Sequence, residues 1–414
     1  MSRILLADAD AFFVAVARKE DPEGAGRAPL LIVGGRPGSR GVVCSASYET
    51  RAFGVRSAMS ITLALKLCPD ALCVPVPRQA CSDSSRAIKR VLERFTPAVE
   101  GASIDEWYLD LSGTEALYQH ESLEATARRI RAAVLDETGM ALSIGGGPNK
   151  LVAKLAAERA KPTKAPEAGG VHIVPDDGVS DFMATLALSD IPGIGPKLTA
   201  KLHDLGLDRV PDVLQHDDAT LARWLDAKTA AWLRARVGGN SVSAVEPHAP
   251  AKQVSREETF DRDVSEVTKV ESELRRLCAK VSADLRGDGL TARTVTVKYR
   301  TNDWTTRTAG RTLREGIESD RAVTDVALEL FRKLRVAQRK PARLIGVALS
   351  NFASSRDAEQ LTMFAPSTPA VEVPRDRDLS RALDRVREKF GDEAIGSGPK
   401  RERPLGEKGA RRPR

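Results

Sequence analysis

Two short acidic clusters constrain what this chain can fold into more than any other feature. Asp8 follows the apolar run of ILLADADAFF, and Asp105 and Glu106 lie inside ASIDEWYLDL. Each cluster adjoins apolar runs that predict buried strands, which would place the carboxylates at a sheet edge where only a cation neutralises them. Three carboxylates from two strands offer the hard oxygen ligands that suit Mg²⁺ rather than zinc. The pattern is typical of a metal centre for nucleotidyl transfer.

The same residues also have a structural interpretation, because carboxylates often cap helices or pair with arginines. For a single aspartate at a strand end, that interpretation is the more common one. Here two clusters 97 residues apart lie at strand ends within one α/β unit, which favours catalysis. Two Mg²⁺ ions about 4 Å apart would activate a 3′-hydroxyl, stabilise the pentavalent phosphate and hold the leaving pyrophosphate. We expect Asp10 to support this site from outside and Asp110 to be structural.

The chain is organised in several parts, since 414 residues are enough for two to four domains. Strands and helices alternate over roughly the first 170 residues, which predicts an α/β sheet layered by helices. Helices follow to about Val237, and the glycines and prolines of 238–250 predict a linker. A second α/β unit, with predicted strands TARTVTVKYR and ARLIGVALSNF, extends to about Phe352. One more helix is predicted in the tail, over Asp378–Phe390.

The net charge says little about the folded body. The formal charge is +7, but residues 398–414 contain seven basic and two acidic side chains. This tail therefore carries +5, and the other 397 residues carry only +2. Contacts with nucleic acid must be sought in local patches.

Composition and cysteine use predict a cytoplasmic protein. The start, MSRILLADAD, becomes acidic before the apolar core of a signal peptide could form. No apolar run is long enough to cross a membrane. The five cysteines show no CxxC spacing, which indicates reduced thiols and argues against a zinc site.

The sequence IPGIGPKL predicts a hairpin from which a helix starts at the second glycine. Gly193 and Gly195 would let the backbone approach a phosphate, whose charge the free amides, the helix dipole and Lys197 would bind without reading bases. Pro196 suits the first turn of a helix. The alternative is an ordinary turn between two helices. A GxGxxG or GK[ST] motif is absent here, so neither a dinucleotide fold nor a P-loop is supported.

A second candidate for nucleic-acid binding lies in the later α/β unit. One face of the strand near Arg300 presents Thr294, Thr296 and Lys298, and Arg307 follows shortly after. Hydroxyls and cations on one face of a sheet fit a phosphate backbone. The alternative is a solvated outer face of the sheet.

The peptide Gln360-Leu361-Thr362-Met363-Phe364 lies between the second unit and the tail. A glutamine anchor followed by apolar Leu361, Met363 and Phe364 suits docking into the groove of a partner. A strand end or a loosely packed linker is the alternative, and on these residues alone it is the more common one.

At these residues the chain resembles a Y-family translesion DNA polymerase of the DinB (DNA polymerase IV) type. The resemblance runs from about Arg3 to Phe364. It rests on several motifs in the same order, namely ADADAFF, GVVCSASYETRAFGVRSAM, SIDEWYLD, GPNKLVAKLAAERAKP, IPGIGPKLTAKL, RTVTVKYRTNDWTT and RLIGVALSNF. The implied fold is a right hand with a ferredoxin-like palm, small fingers, a helical thumb with a helix-hairpin-helix, and an α/β little finger.

The resemblance assigns roles to individual residues. Asp8, Asp105 and Glu106 match the catalytic carboxylates that hold two Mg²⁺ ions, and the Ala9 carbonyl matches a backbone ligand. The residues that match contacts to the incoming nucleotide are Phe13 as the steric gate against a 2′-hydroxyl, and Tyr48, Arg51 and Lys161 at the triphosphate. A tyrosine hydroxyl and two cations are apt partners for such an anion. Gln360–Phe364 resembles the peptide by which bacterial polymerases dock on the sliding clamp, with Met363 in place of the usual leucine.

The resemblance also divides the chain into parts. These are the palm (1–11 and 76–172), the fingers (12–75), the thumb (173–239), a linker (240–249), the little finger (250–357) and a tail (358–414). The implied protein is a monomeric, nucleoid-associated enzyme of the cytoplasm that binds primer–template DNA, dNTPs and a clamp. It synthesises DNA with low fidelity across lesions, without proofreading.

Two other functions remain open at this point. A non-catalytic polymerase-fold adaptor would bind the clamp within a mutasome, but such relatives typically lose the acidic residues that are present here. A nucleotide cyclase shares paired carboxylates on a similar sheet, but it has no use for the hairpin or the clamp-like peptide.

Three features depart from the pattern of the family. Trp107 stands where a small residue usually follows Asp-Glu, so an indole beside the metal site is expected to alter packing there. The loop over 163–170 is longer and richer in proline and alanine than usual. The tail is an addition, and its predicted helix carries an apolar stripe of Leu379, Leu383, Val386 and Phe390. That helix either binds a partner or packs on the little finger.

Overall fold

A computed structural model describes most of the chain. The described residues are 3–162, 169–241, 244–248, 250–337, 339–354, 371–391 and 394–395. They form two compact units, Met1–Ala249 and Pro250–Arg414, and each is described by itself. Within the described ranges, no helix is long and apolar enough to span a membrane.

The first unit mixes strands and helices up to residue 173 and is helical beyond it. Its elements are β1 (Ile4–Ala9), α1 (Phe12–Glu20), β2 (Leu31–Gly34), β3 (Val43–Ala46), α2 (Tyr48–Ala52), α3 (Ile61–Leu67), β4 (Leu72–Pro75), α4 (Arg78–Leu92), β5 (Val99–Gly101), β6 (Glu106–Asp110), α5 (Leu123–Thr138), β7 (Leu142–Gly147), α6 (Lys150–Ala160), β8 (Val171–Ile173), α7 (Val179–Ala184), α8 (Pro196–Asp204), α9 (Val210–Leu214), α10 (Asp218–Trp224) and α11 (Ala227–Val237). The second unit contains β9 (Gln253–Val264), α12 (Val267–Gly287), β10 (Leu290–Thr301), β11 (Thr306–Ile317), α13 (Asp320–Ala337), β12 (Ala342–Ser354) and α14 (Pro374–Phe390).

A five-stranded sheet in the order β5-β6-β1-β7-β8 organises the first unit. Its central strand β1 is antiparallel to both neighbours, β6 and β7. Helices α1, α4 and α5 cover one face, where Leu5, Ile88 and Trp107 share a buried core. Helix α6 covers the other face and lies directly on β7, because a Cβ at Gly145 would come within 1.9 Å of the Ala157 nitrogen. This close approach fixes α6 beside the central strands of the sheet.

A smaller sheet in the order β3-β2-β4 lies within the segment that the resemblance assigns to the fingers. The two short helices next to it begin at serine caps, which satisfy amides that a helix leaves unpaired at its start. The Ser47 hydroxyl accepts a hydrogen bond from the Thr50 amide at 3.3 Å, and the Ser60 hydroxyl accepts one from the Leu63 amide at 3.2 Å. Serine caps therefore fix where α2 and α3 begin.

Helices α7 to α11 pack around one apolar core and include the expected hairpin. Gly193 has φ 101°, and a Cβ there would come within 2.6 Å of the Trp232 ring. Only glycine fits that position without strain. Gly195 is extended and caps α8, whose first residue is Pro196. The helix therefore starts where the sequence predicted it.

The second unit is a four-stranded antiparallel sheet in the order β11-β10-β12-β9. Helices α12 and α13 share a core with one face of the sheet, where Val295, Val297 and Tyr299 are buried. The alternate residues of β10, which include Thr294 and Thr296, are partly exposed on the other face. The sheet therefore has one face in the core and one face open, as an amphipathic antiparallel sheet requires.

Helix α14 forms an extra layer on the helical side of the second unit, and polar groups hold it there. The Arg286 guanidinium on α12 donates to both carboxylate oxygens of Asp384 at 2.7 and 2.9 Å, and to Asp320 at 2.9 Å. Leu379 and Phe390 of the apolar stripe are 57% and 67% exposed. Leu383 and Val386 are partly buried. Of the two alternatives for this helix, the structure shows packing on the little-finger segment, with ion pairs to Arg286 and with the ends of the stripe exposed.

The residues just before α14 are also anchored. The Glu372 carboxylate accepts hydrogen bonds from the backbone amides of Glu318 and Ser319 at the start of α13. Within α14 itself, the Ser380 hydroxyl accepts another hydrogen bond from the Asp320 amide at 3.0 Å. Amides at a helix start need acceptors, so this segment caps α13 from a distance in sequence. The chain that leaves β12 is therefore held again from Glu372 onward.

Candidate active site

The carboxylates predicted from the sequence meet at one end of the central sheet. Strands β1 and β6 place Asp8 directly opposite Glu106, and the Ala9 amide donates to the Asp105 carbonyl at 2.9 Å. Opposed residues of an antiparallel pair project their side chains from the same face. Asp105 comes immediately before β6. Strand register thus brings together residues that lie about a hundred positions apart in the chain.

Two lysines from the α6 region approach this end of the sheet. The Lys161 ammonium lies 3.1 Å from an Asp8 carboxylate oxygen and 2.7 Å from Glu158. The Lys154 ammonium donates to both carboxylate oxygens of Glu106 at 2.7 Å. The packing of α6 on β7 positions these cations, so lysines in and just after one helix neutralise the carboxylates of Asp8 on β1 and Glu106 on β6.

The third carboxylate pairs with a hydroxyl, since Ser103 donates to Asp105 through a short hydrogen bond. Within the described ranges, no three His, Cys, Asp or Glu side chains are grouped closely enough to hold a metal ion as they stand. The donor set itself is made of carboxylates, which suits a hard divalent cation such as Mg²⁺. The residues fit such an ion by chemistry, while their side chains are engaged with lysine and serine.

Burial dominates the electrostatics of Asp8. Removal from water raises the pKa of its carboxyl to about 6, and the neighbouring charge of Lys161 opposes that rise. Burial also lowers the pKa of Lys161, but the charges of Asp8 and Glu158 outweigh it, so that pKa is raised. Lys161 is therefore a permanent cation, whereas Asp8 gains and loses its charge in a moderately acidic range.

Asp10 lies behind this site, in the supporting position that the sequence predicted. Its carboxylate accepts a hydrogen bond from the Ser143 hydroxyl on β7 at 2.7 Å. Burial raises the pKa of Asp10, and hydrogen bonds from Ser143 and Tyr48 oppose the rise. Burial also raises the pKa of Tyr48 to about 12, so its hydroxyl stays protonated. The Arg51 guanidinium stacks 4.8 Å from the centre of the Tyr48 ring.

Phe13 and Phe12 begin α1 next to these residues. Phe12 is 2% exposed in the core, whereas Phe13 is only partly buried. Their rings meet edge to face with centroids 5.6 Å apart. The backbone turns into the helix at Ala11, whose φ is 45°. Consecutive phenylalanines thus divide into one that packs in the core and one that remains accessible.

Trp107 does not lie beside the metal-site carboxylates, contrary to the expectation from the sequence. It pairs with Ala7 and Gly101, one position out of phase with Asp8 and Glu106. Successive residues of a strand face opposite sides of a sheet, so the indole lies in the core beneath the site and is 2% exposed. The departure from the family pattern is therefore accommodated on the other side of the sheet.

A cavity of about 430 Å³ separates the carboxylates from the hairpin of the helical segment. Asp8, Glu106 and Lys154 line one side, and Pro192 and Gly193 line another. The cavity joins a centre of paired charges to a turn rich in backbone amides. Glu158, Asp190 and Arg159 also line it, so its walls carry four carboxylates and two cations.

The candidate DNA contacts of the second unit occupy the open face of β10. Lys298 reaches across Gly346 of β12 to Glu257, at 2.9 Å. Arg300 donates to the Thr306 hydroxyl at 2.7 Å, and the hydroxyls of Thr294 and Thr312 lie 2.9 Å apart. A carboxylate partner weakens the attraction of Lys298 for phosphate. Arg307 is on the adjacent strand β11.

Several sequence predictions fall outside the described residues. They are the clamp-like peptide Gln360–Phe364, most of the loop over 163–170 and the basic tail over 398–414. Lys154, by contrast, was not predicted from the sequence although its signal was present. Lys150, Lys154 and Lys161 are spaced four and seven residues apart, a spacing that repeats on one face of a helix.

Comparisons with known proteins agree with this arrangement. The profile of the impB/mucB/samB family matches residues 7–158, that of its C-terminal domain matches 251–363, and the family's helix-hairpin-helix motif matches 176–207. The chain is 34% identical to DNA polymerase IV of Dehalococcoides mccartyi strain CBDB1, with 96% of this chain and 97% of that protein covered. It is 35% identical to DNA polymerase IV of Caulobacter vibrioides, over 94% and 92% of the two chains.

Solved structures of similar fold include Y-family polymerases. The chimera Dbh-Dpo4(243-245)-Dbh is 26% identical with a TM-score of 0.74. The insertion ternary complex of Dbh DNA polymerase is 27% identical with a TM-score of 0.60. Each comparison covers 84% of this chain and 98% of the other.

Fold and site together define a class, the DNA-directed DNA polymerases of the Y family. Within it, the chain belongs to the impB/mucB/samB family, in the DinB-type group of DNA polymerase IV. The multidomain α/β right-hand fold expected from the sequence is confirmed.

Proposed function

We propose that this protein is a low-fidelity, template-directed translesion polymerase that adds dNTPs to a primer 3′ end. The observation that supports this most is the register of β1 and β6, which aligns Asp8 with Glu106 next to Asp105. The relatives named DNA polymerase IV and the Y-family ternary complex supply the substrate class, namely primer–template DNA and dNTPs. Carboxylates from two adjacent strands, beside a cavity, are the ligands that a metal-assisted phosphoryl transfer requires.

In this proposal Asp8, Asp105, Glu106 and the Ala9 carbonyl hold two Mg²⁺ ions. When bound, the ions supply charge stabilisation for the phosphoryl group and lower the pKa of the attacking 3′-hydroxyl. The role of the protein is to fix the ligands from two adjacent strands and to keep Asp8 ionised near neutral pH. A carboxyl with a pKa of about 6 is mostly ionised at pH 7.

Four residues bind the incoming nucleotide in this proposal. Lys161 and Arg51 supply cations for the triphosphate, and the protonated Tyr48 hydroxyl donates a hydrogen bond. Phe13 is accessible at the start of α1 and would exclude a 2′-hydroxyl from the sugar position. Asp10 and Ser143 position Tyr48 from behind.

DNA contacts come from two surfaces in this proposal. The hairpin amides near Gly193 and Gly195, with Lys197, bind backbone phosphates of the duplex. The open face of β10 binds phosphate through Thr294, Thr296, Lys298, Arg300 and the nearby Arg307. The contact is independent of base sequence, which suits an enzyme that must act anywhere on a chromosome.

The parts of the right hand are assigned as the resemblance implies, with the palm over 1–11 and 76–172 and the fingers over 12–75. The thumb is 173–239, the linker 240–249 and the little finger 250–357. Among the described residues, every element falls into these parts or into α14, so proofreading is not part of the proposal. Small fingers without proofreading imply low fidelity.

The proposed partner is a bacterial sliding clamp, bound by Gln360, Leu361, Met363 and Phe364 of a monomeric polymerase. The competing adaptor function requires no metal chemistry, and the presence of all three carboxylates counts against it. The catalytic parts also match relatives named as polymerases over nearly their whole length.

Primer extension with Mg²⁺ and dNTPs tests the proposal directly. Wild type is expected to extend the primer, and the double variant Asp105→Ala/Glu106→Ala is expected to lose synthesis while retaining its fold. Asp110→Asn is a matched control, because Asp110 lies at the far end of β6 from the site. Failure of both proteins to extend, with clamp binding intact, would favour the adaptor.

A further inference from the structure

The paired state of the metal-site carboxylates has a consequence for how a metal enters. Glu106 binds the Lys154 ammonium through both oxygens, and Asp8 binds the Lys161 ammonium. The side chains of Glu106 and Asp8 are only 22% and 13% exposed. A partly buried carboxylate without a cation would be destabilised, so these lysines stabilise the site before a metal arrives.

The position of the ammonium groups matters as much as their charge. Lys154, Asp8 and Glu106 line the same cavity, so an ion shared by the two carboxylates would lie close to the Lys154 ammonium. Each Glu106 oxygen already accepts a hydrogen bond at 2.7 Å from the same nitrogen. A cation that coordinates this carboxylate through both oxygens from the cavity therefore competes with Lys154 for the same position.

We propose that Lys154 is an internal counter-ion of Glu106, which a divalent metal ion displaces when it binds. Lys154 is a positioning residue, and the inference rests on the metal site of the proposed function. Displacement leaves the ammonium in the cavity beside the carboxylates, where a DNA phosphate is its replacement partner. Metal binding would free Lys154 to pair with a phosphate, and DNA binding would free Glu106 to coordinate the metal. Binding of metal and binding of DNA therefore favour each other.

The chain contains a matched control one helical turn away. Lys150 starts the same helix and donates to both oxygens of Glu100 at 2.7 Å, as Lys154 does to Glu106, and it also donates to the Ala244 carbonyl at 3.3 Å. Its side chain is 17% exposed. Glu100 is not one of the metal-site carboxylates. A general effect of removing one positive charge from α6 would appear at both lysines, whereas competition for Glu106 would appear only at Lys154.

Titration with Mn²⁺, followed by the electron paramagnetic resonance signal of the free ion, tests the exchange without DNA, nucleotide or turnover. Lys154→Met is expected to bind Mn²⁺ about fivefold more tightly than wild type, because the competing ammonium is gone. Lys150→Met is expected to stay within about twofold of wild type, and Lys154→Arg should restore weaker binding. Thermal unfolding verifies that each variant is folded, and Lys154→Gln repeats the test if the methionine variant is not.

A primer–template with a dideoxy end provides the second measurement. It should tighten Mn²⁺ binding more in wild type than in Lys154→Met, where the lysine part of the coupling is missing. Unchanged or weaker binding by Lys154→Met and Lys154→Gln would overturn the exchange, as would an equal gain in Lys150→Met. Identical titrations of wild type and Asp105→Ala/Glu106→Ala would instead overturn the metal assignment itself, and the inference with it.

Discussion

The ionisation of Asp8 illustrates how single side chains set the properties of the site. Its carboxyl is buried, so the protonated form is favoured and the pKa rises from 3.8 to about 6. The contribution of this group to the free energy of unfolding is therefore complete below about pH 4 and is lost as the pH rises through 6. Metal binding has the opposite dependence, because it requires the ionised form.

This opposition predicts the pH dependence of metal binding. Without DNA, Mn²⁺ affinity should be nearly constant from pH 7 to 8 and fall by up to about tenfold per pH unit below 6, since one proton competes with the metal. Titrations between pH 5 and 8 measure it, with Asp110→Asn as a control that should retain the wild-type profile. A profile that is flat through pH 6 would contradict the combination of a raised pKa and a ligand role for Asp8.

Phe13 carries the prediction about sugar selection. Phe13→Val should admit ribonucleotides, because the accessible ring at the start of α1 would no longer meet a 2′-hydroxyl. Single-nucleotide insertion of matched rNTP and dNTP pairs measures the change in discrimination. Phe12→Val is the matched control: its ring is in the core, so it should lower stability by about 1–3 kcal/mol and leave discrimination unchanged. Unaltered discrimination in Phe13→Val would contradict the steric-gate assignment.

Single residues also show how far the sequence could lead. The convergence of the three carboxylates was predictable because two acidic clusters at strand ends of one α/β unit favour a shared site over separate structural roles. The side of the sheet that Trp107 faces was not, because it depends on strand register, and a shift of one residue reverses it. The pairing of Lys154 with Glu106 joins residues 48 positions apart, so it appears only once α6 lies on the sheet.

At the scale of elements, the hairpin before α8 allows a test of phosphate binding by backbone. Gly195→Ala should fold normally, because a Cβ there meets nothing within 4 Å, yet it should weaken DNA binding if a phosphate approaches the amide. Gly193→Ala should instead lower stability by about 1–3 kcal/mol, because its φ is positive and Trp232 is close. Fluorescence anisotropy with duplex DNA and thermal unfolding separate the two effects. Full DNA affinity in Gly195→Ala would exclude close approach at that residue.

Elements also show where patterns mislead. The apolar stripe of α14 left open whether the helix binds a partner or packs on the little finger; Arg286 and Asp384 hold it there through polar contacts, and Phe390 is exposed. Hydrophobic periodicity indicates which face of a helix could be buried, but it does not determine which neighbour the helix packs against. Strands β9 and β11 were missed for a related reason. Both lie at the edges of their sheet, where charged residues are common and the apolar alternation is weak.

At the scale of the whole molecule, the proposed clamp contact is separable from catalysis. Deletion of Gln360–Phe364 should abolish stimulation of primer extension by a sliding clamp and spare extension without it, since the peptide contains none of the residues proposed to bind metal, nucleotide or DNA. Replacing the segment with five glycine and serine residues controls for chain length and should behave as the deletion does. Equal stimulation of wild type and deletion variant would place the clamp contact elsewhere.

The overall organisation was predictable because its signals are repeated along the chain. Alternating strands and helices, then a helical stretch with a glycine hairpin, then a second α/β unit gave the right order of parts. Order in the chain does not determine which strands become neighbours, and the placement of β1 between β6 and β7 was found only in the structure.

The end of β12 and the anchoring of Glu372 on α13 limit how far the proposed clamp peptide Gln360–Phe364 can lie from the second unit. A chain extends at most about 3.5 Å per residue, so Gln360 can lie no farther than roughly 21 Å from the end of β12 at Ser354. The return to Glu372 limits it from the other side. A clamp that binds this peptide would therefore be held within a few nanometres of the sheet of the second unit.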